Sequence, residues 1–382
     1  MGLPSCLRTA IAPSIGDGDD ALTSLVSPDG RFVLYLYGYP TSTSSAPSGE
    51  IFDTSSGQMV SVFKSPLIPG YYSSTMTVSP CFNMAVIQYQ NASSNDILIQ
   101  AGPLVFNGTE STFTSRYQAT LSGVAPAETQ NNFVVVIGPY IAFVYTTASN
   151  ELLLVLYNSC LQQIGPPFLI STLAASQTSG MNDISAFTLG CGYYVAFPFI
   201  PIANVPTTQL EGLSSLYIVS LTNIGPRLVV RLTLPQYCNQ VRTLVQGGIA
   251  IVALSMRATY LQGQASIFTS PSLSQTGQVG NLAFYLFDGN NICLSRCANF
   301  QSEVIIGGWH PSGVIPVTPQ FLSPAKNNGP KLTVYYSYPS LEIVGNPIIT
   351  PQLPFLRFSP DGSKLFFGGA YTTGIYTIGY YT

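Results

Sequence analysis

The stretch Val26–Tyr35 reads VSPDGRFVLY, and it decides the fold because the chain uses the same phrase again near its other end. Phe358–Phe367 reads FSPDGSKLFF, and Val78–Ile87 reads VSPCFNMAVI, a degraded copy that lacks the Asp and the Gly. In each copy a turn sequence separates two apolar runs. Proline presets φ, aspartate bonds nearby backbone, and glycine takes the positive φ that reverses the chain. The phrase therefore predicts two antiparallel strands joined by a tight turn.

The most apolar stretches recur at a nearly regular spacing of 51 to 63 residues, with centres at Ser24, Thr77, Val135, Phe187, Thr243, Ile306 and Arg357. A period of this order is typical of a β-propeller, in which each repeat is a four-stranded antiparallel blade. We therefore predict an all-β fold, a single seven-bladed β-propeller formed by one domain over residues 1–382. The predicted blades cover roughly residues 20–65, 72–122, 132–175, 183–235, 240–298, 302–348, and 353–382 together with 5–12.

The last blade is predicted to need a strand from the other end of the chain. After Gly374–Gly379 the sequence stops with three strands of blade seven accounted for. Residues 5–12 precede blade one and have no partner of their own. We expect them to form the fourth strand of blade seven, which closes the ring and removes exposed sheet edges. In blade two, the fourth strand is expected near Leu104 or Phe113.

The turn phrases, together with the hairpin Ile51–Gly57 (IFDTSSG), resemble the propellers of the YncE, TolB and WD40-like superfamily. The resemblance covers blades one and seven well, blade two in part and the other blades only in period. It implies the architecture. That superfamily includes lactonases, peptidase accessory domains, lectins and scaffolds, so the resemblance does not select a function.

The composition favours a protein of an assembly or of an extracellular setting. Only 8% of residues are charged, against about 25% in a typical soluble protein, and the formal net charge is −3. A protein with so few charges has a surface on which little charge repulsion opposes association with other proteins. The scattered Lys and Arg form no basic stripe, which argues against nucleic acid binding. No apolar run is long enough for a membrane span, and Met1–Cys6 has no signal-peptide pattern. We expect a virion or extracellular surface.

The cysteines and sequons give two modification hypotheses. Cys293 and Cys297, four residues apart near a strand end, are a candidate disulfide; the other five of the seven cysteines are dispersed. With one histidine and no C-x-x-C, the chain does not indicate a zinc site, and we predict no metal and no cofactor. Asn91 and Asn107 begin N-x-S/T sequons and are candidate glycosylation sites.

A catalytic reading would have to use His310, the single histidine of the chain. It stands beside the single tryptophan, Trp309, in a turn rich in glycine and proline. The two residues form either a loop-borne base and ligand platform or a structural turn with a buried indole. No Gly-x-Ser-x-Gly phrase accompanies them, which favours the structural alternative.

Acid pairs are the other catalytic candidates. A glycosidase needs paired carboxylates, and the pairs considered are Asp183 with Glu211 and Asp288 with Glu303. The acidic segment Gly16–Asp20 resembles part of a calcium loop but lacks a later glutamate ligand. We predict no catalytic residues.

Aromatic residues in polar loops are the candidate binding residues. Tyrosine offers a large contact area and a hydrogen-bonding tip at small entropic cost. The candidates are Tyr37, Tyr39, Tyr71, Tyr72, Trp309 and His310.

These features together predict a non-enzymatic interaction or structural propeller, a virion surface or vertex component that mediates assembly or host attachment. Its partners would be copies of itself or other structural proteins, and host glycans in addition. Two alternatives stay open. One is a secreted hydrolase or lactonase with a site in the central channel, which convergent acids and arginines there would support. The other is a glycan-binding lectin, for which equivalent pockets between blades are expected.

Overall fold

A computed structural model gives the fold of the chain. The residues that it describes are 2–5, 7–11, 21–27, 29–37, 49–56, 58–63, 66, 68–79, 83–91, 93–106, 111–125, 133–172, 177–180, 183–203, 214–257, 280–300, 303–320, 331–350, 355–370 and 376–382. For some strand residues the backbone alone is described. Over these ranges the regular structure is all β, and none of it is a helix long and apolar enough to cross a membrane.

The first half of the chain forms β1 (Leu7–Ile11), β2 (Ala21–Val26), β3 (Phe32–Tyr37), β4 (Gly49–Asp53), β5 (Met59–Phe63), β6 (Tyr71–Val78), β7 (Met84–Asn91), β8 (Ile97–Phe106), β9 (Ser111–Phe113), β10 (Tyr117–Leu121), β11 (Phe133–Ile137), β12 (Tyr140–Thr146), β13 (Glu151–Asn158), β14 (Phe168–Thr172) and β15 (Gln177–Gly180). The second half forms β16 (Ser185–Leu189), β17 (Gly192–Ala203), β18 (Ser215–Thr222), β19 (Gly225–Thr233), β20 (Tyr237–Gln246), β21 (Ile249–Arg257), β22 (Gly280–Phe287), β23 (Ile292–Phe300), β24 (Glu303–Ile306), β25 (Val314–Gln320), β26 (Lys331–Ser337), β27 (Ile343–Thr350), β28 (Phe355–Phe358), β29 (Leu365–Ala370) and β30 (Tyr376–Tyr381).

These strands make seven antiparallel blades, which confirms the predicted fold class. Blade one is β2-β3-β4-β5, blade two β6-β7-β8-β10, blade three β11-β12-β13-β14, blade four β16-β17-β18-β19, blade five β20-β21-β22-β23, blade six β24-β25-β26-β27 and blade seven β28-β29-β30-β1. The N-terminal strand β1 is the outermost strand of the last blade, paired with β30 through Ala10 and Gly379. The predicted closure of the ring is confirmed.

Blade two differs from the prediction at its outer edge. Its fourth strand is β10, which pairs with the first half of β8. Leu104, one expected position, belongs to the second half of β8, and Phe113, the other, lies in the short strand β9 that folds back on it. Because β8 is ten residues long, both β9 and β10 pair along its edge. A second short strand that was not predicted, β15, pairs with the end of β17 in blade four.

The first strand of each blade lies nearest the axis of the ring. Contacts between neighbouring blades join first strand to first strand, as in β6 with β11, β11 with β16, β16 with β20, β20 with β24, and β28 with β2. The turns from first to second strand and from third to fourth strand all lie on one face of the ring, because the strands alternate in direction. We call this the hairpin face and the opposite one the loop face. The first strands run from the loop face to the hairpin face.

Packing between blades fills the core. Between blades four and five, Phe187 stacks on Tyr194 with 5.4 Å between ring centroids, and Phe287 meets both rings edge-on. Each buried side chain of this size contributes roughly 2 kcal/mol to folding. Strand residues alternate between the two sides of a blade, so one blade takes part in two such interfaces.

Blades seven and one meet where the ring closes. Tyr35 of β3 is buried, and its hydroxyl donates to Phe367 O at 3.1 Å and lies 3.3 Å from Gly379 O, both in blade seven. Lys364 Nζ donates back to Thr54 O of blade one at 3.0 Å. The closing contact is therefore polar as well as apolar, and it is made by side chains of both blades.

Candidate functional site

The turn phrase forms the same hydrogen-bond network in blades one and seven. In blade seven, Ser359 Oγ donates to Asp361 Oδ1 at 2.5 Å and accepts from Lys364 N at 3.0 Å. Asp361 Oδ1 also accepts from Ser363 N at 3.0 Å, and Gly362 has φ +74°. Ser359 thus links the aspartate to the start of the next strand. These bonds lower the pKa of Asp361 to about 2, chiefly through Ser359.

Blade one repeats this network, and blade two keeps part of it with another residue. In blade one, Ser27 Oγ donates to Asp29 Oδ1 at 2.6 Å and accepts from Phe32 N at 2.9 Å. In blade two, Ser79 Oγ accepts from Met84 N at 3.1 Å and donates to Asn83 Oδ1 at 2.8 Å. An amide oxygen there replaces the carboxylate. The degraded copy therefore preserves the hydrogen bonds that set the start of the second strand.

His310 lies in the hairpin-face turn of blade six, against the turn of blade seven. Its Nδ1 accepts from Ser312 N at 3.0 Å, and its ring meets Phe358 edge-on at 4.9 Å between centroids. A Cβ at Gly362 would collide with His310 Nε2, so the glycine makes room for the ring. These contacts fix the imidazole between two blades, which is the structural alternative considered for it.

The environment of His310 favours its neutral form. Burial lowers the pKa of His310, and a backbone hydrogen bond with Gly362 opposes this shift. Because an imidazolium donates from both nitrogens, protonation at Nδ1 would break the bond from Ser312 N.

Trp309 is packed among aromatic side chains of blades five and six. Its indole lies 5.7 Å from the ring of Phe284 and 6.4 Å from that of Tyr338, between centroids. Its Nε1 is buried and has no hydrogen-bond partner among the described residues. Trp309 therefore belongs to the packing between these blades.

The structure does not bring the predicted aromatic residues together. Tyr71 is half-buried and begins β6, next to Tyr72, at the loop face of blade two. The backbone of Tyr37 ends β3 at the loop face of blade one. Tyr39 lies outside the described residues. Trp309 and His310 lie toward the hairpin face of blade six, so the six candidates do not form one site.

The first strands of blades four, five and seven instead bring three charged residues to the axis of the ring. Asp183, just before β16, forms an ion pair with Arg242 Nη1 of β20. The same carboxylate oxygen accepts from Val241 N at 3.0 Å, and the other accepts from Ile184 N. Arg242 Nη1 also donates to Val241 O at 2.7 Å, while its Nε is buried without a partner in the described part of the chain. We call Asp183, Arg242 and Arg357 the axial cluster.

Arg357 of β28 is the third member, and its charge is not paired. Burial, together with the positive charge of Arg242, lowers the pKa of Arg357 to about 10, and Asp183 opposes this shift. No described residue forms a hydrogen bond or ion pair with its guanidinium. Sequence reasoning missed Arg242 and Arg357 as a site. The available signal was a lone charge inside the apolar first strand of a blade.

Of the two acid pairs considered in the sequence, Asp288 and Glu303 lie far apart, and Asp183 has another partner. Asp183 is paired with Arg242, and Glu211 lies outside the described residues. Asp288 is in the turn before β23 and Glu303 just after that strand, so they stand at opposite ends of a nine-residue strand, about 30 Å long. The segment Gly16–Asp20 lies outside the described residues. Where the chain is described, no group of three His, Cys, Asp or Glu side chains is arranged to hold a metal ion.

The disulfide predicted between Cys293 and Cys297 is wrong. Both are exposed free thiols on β23. Cysteines four apart in an extended strand have Cα atoms about 13 Å apart, whereas a disulfide requires less than about 7 Å. Of the candidate sequons, Asn91 ends β7 and its Oδ1 accepts from Ser93 N and Ser94 N, and Asn107 lies outside the described residues.

The rim of the ring exposes apolar side chains. Every blade from one to six has one or more on its fourth strand: Met59, Tyr117, Leu169, Leu228, Leu294, Ile343 and Ile349. In blade six, Ile349 is 58% exposed and faces Leu332 of β26, which is 54% exposed, across the strand pair. The fourth strands β5, β10, β14 and β27 contain no charged residue. We call Leu332, Ile343 and Ile349 the blade-six rim.

Comparison with known proteins identifies the fold class. No protein-family profile and no curated protein sequence matches the chain. Solved structures do match. Raptor of Chaetomium thermophilum matches with a TM-score of 0.56 and 10% sequence identity, and the match covers 100% of this chain and 29% of the Raptor chain. A chain of a mitotic checkpoint complex has a TM-score of 0.54 and 12% identity, with 99% of this chain and 92% of that chain covered. Kuenenia stuttgartiensis hydrazine synthase has a TM-score of 0.54 and 9% identity, with 96% of each chain covered. At such identities the similarity shows the fold, a β-propeller.

Proposed function

We propose that this chain is a non-enzymatic interaction and structural propeller of an outer surface, whose rim packs against copies of itself and other structural proteins. The carrying observation is the set of fourth strands that combine exposed apolar side chains with no charge. Natural proteins protect open sheet edges with charges, prolines or covering segments. Edges such as β5, β10 and β14, which have neither charge nor proline, favour association.

The blade-six rim offers its side chains for the proposed contact, because Pro347 interrupts the backbone edge of β27. Two paired aliphatic side chains more than half exposed, Leu332 and Ile349, make an apolar patch on strands whose nearest lysine, Lys331, is buried. Burying such a pair against a partner removes apolar surface from water, and this lowers the free energy of the complex by about 25 cal/mol per Å² of apolar surface buried. The low charge of the whole chain, 8%, supports an assembly because little repulsion opposes it.

The finer parts of this proposal rest on composition and turn sequence. A low-charge, hydroxyl-rich surface supports a virion surface or vertex component with a role in assembly or host attachment. The turns of blades one and seven support placement among the YncE, TolB and WD40-like propellers.

The test is the mass of the native protein in solution, by light scattering coupled to size exclusion, with rim variants. We expect a defined assembly with a mass that is a multiple of 40.9 kDa. The double variant Leu332→Lys, Ile349→Lys should shift the mass toward one chain, because desolvating a lysine in the contact is costly. Ile224→Lys is the matched control, since Ile224 is 81% exposed but lies in the hairpin-face turn between β18 and β19.

A wild-type monomer at all accessible concentrations, with rim variants of unchanged solubility, contradicts the assembly function. Glycan arrays and hydrolase substrates would then test the lectin and hydrolase alternatives. An assembly that Ile224→Lys disrupts as strongly as the double variant would move the contact away from the rim.

A further inference from the structure

The axial cluster carries an excess positive charge where the first strands converge. Asp183 and Arg242 form an ion pair, and Arg357 adds a cation with no partner among the described residues. Arg357 is of intermediate exposure, so its guanidinium is not fully withdrawn from solvent. Held at the axis without an acceptor from the described part of the protein, it leaves planar N–H donors that an anionic ligand can use.

The walls around the cluster are fixed by bonds between blades. Ser185 Oγ and Thr243 Oγ1 lie 2.7 Å apart, which links blades four and five. Gln240 Oε1 accepts from Ile306 N at 2.7 Å, which links blades five and six. Gly308 N donates to Leu356 O at 2.7 Å, which links blades six and seven. The two arginines are therefore held on a scaffold that spans four blades.

Gly308 gives Arg357 its space. A Cβ at this position would stand 3.2 Å from both Cδ and Nη1 of Arg357, closer than such contacts normally are. Because the φ of Gly308 is not in the left-handed region, the backbone itself does not require glycine there. The contact with Arg357 is the tightest constraint that the structure shows, so a Cβ there would require the Arg357 side chain to shift.

We propose that the axial cluster is a binding site for an oxyanion, a carboxylate or sulfate group of a ligand that enters along the axis of the ring. Arg357 makes the charge-assisted hydrogen bonds, for which a planar guanidinium is suited. Asp183 holds Arg242 and neutralises its charge, so the site presents one net positive charge. One such charge matches a single anionic group, and a polyanion would need the basic stripe that the sequence lacks.

Binding is measured on the full chain by NMR of the arginine Nε–Hε groups during titration with sodium oxalate, sodium acetate or sodium sulfate. Sodium chloride keeps the ionic strength constant, and the Arg357 signal is identified by its loss in Arg357→Gln. We expect a saturable shift of the Arg357 signal. Arg357→Gln should weaken binding, followed on the Arg242 signal, at least about 10-fold, because a charge-assisted bond is lost.

Two further variants separate the site from general charge effects. Arg227→Gln removes the same charge from an exposed position on β19, and its binding should equal that of the wild type. Gly308→Ala keeps all charges and displaces the Arg357 side chain, so it should weaken binding with an unchanged fold. Saturation by carboxylates alone, by sulfate alone or by both supports the site and defines its ligand class. No saturable shift, or an equal loss in Arg227→Gln, overturns it.

Discussion

At the scale of the residue, His310 shows how burial decides what a reactive side chain does. The residue most suited to catalysis by type is fixed by Ser312, Phe358 and the backbone of Gly362 between two turns. Its available nitrogen is used as an acceptor for a turn amide. The same contacts that make it unsuitable as a mobile base make it a structural link between blades six and seven.

The pH dependence of stability should report this link. The pKa of His310 is lowered by burial from its ordinary value, near 6.5, so the unfolded chain binds the proton more tightly. The contribution of neutral His310 to the free energy of unfolding is then fully present above about pH 6.5, and it decreases as the pH falls below that value. We expect the melting temperature to fall between pH 7.5 and pH 5, and less so in His310→Gln.

The single histidine makes the measurement direct, because one imidazole resonance titrates in the NMR spectrum. A pKa at or above 6.5, or the same pH dependence in His310→Gln, would contradict this account. The carboxylates with lowered pKa, such as Asp361, lose their contribution only as the pH falls below about 4, outside this window.

At the scale of the element, the Ser-Pro-Asp-Gly turn sets the start of a strand through one serine hydroxyl and one carboxylate. Asp361→Ala removes the acceptor for Ser359 Oγ and Ser363 N, and we expect a loss of about 1–2 kcal/mol in the free energy of unfolding. Asp361→Asn should lose less, because it keeps an oxygen acceptor, and in blade two the serine hydroxyl of Ser79 donates to the amide oxygen of Asn83. Urea unfolding of both variants is the measurement. Equal losses for Ala and Asn would show that the amide oxygen is no substitute.

The elements also show how far the sequence predicts the structure. Turn chemistry and alternating apolar runs are local, so the blades and the closing strand were predictable from Val26–Gly30, Phe358–Gly362 and residues 5–12. The outer edge of blade two was not, because the choice between β9 and β10 depends on pairing along the long strand β8. The axial cluster depends on three blades meeting at the axis, and no local pattern shows that Asp183 reaches Arg242.

At the scale of the whole molecule, the ring depends on the contact between its first and last blades. Two contacts join the N-terminal and C-terminal parts of the chain. Strand β1 pairs with β30, and the Tyr35 hydroxyl donates to a backbone carbonyl of blade seven. Tyr335 OH of blade six donates to Pro4 O at 2.5 Å, which also fastens the segment before β1. Contacts of this kind close the longest loop in the chain, so their loss affects all blades together.

Tyr35→Phe tests the closing contact with the smallest possible change. The variant keeps the aromatic ring of the side chain and removes the hydroxyl that bonds to Phe367 O and lies near Gly379 O. We therefore expect the free energy of unfolding to fall by about 1–2 kcal/mol, with a lower melting temperature. Tyr89→Phe is the matched control, because Tyr89 of blade two is equally buried and its hydroxyl has no hydrogen-bond partner among the described residues. Removing that hydroxyl should be neutral or stabilising. If the Tyr35→Phe protein has the same melting temperature as Tyr89→Phe and the wild type, apolar packing alone closes the propeller.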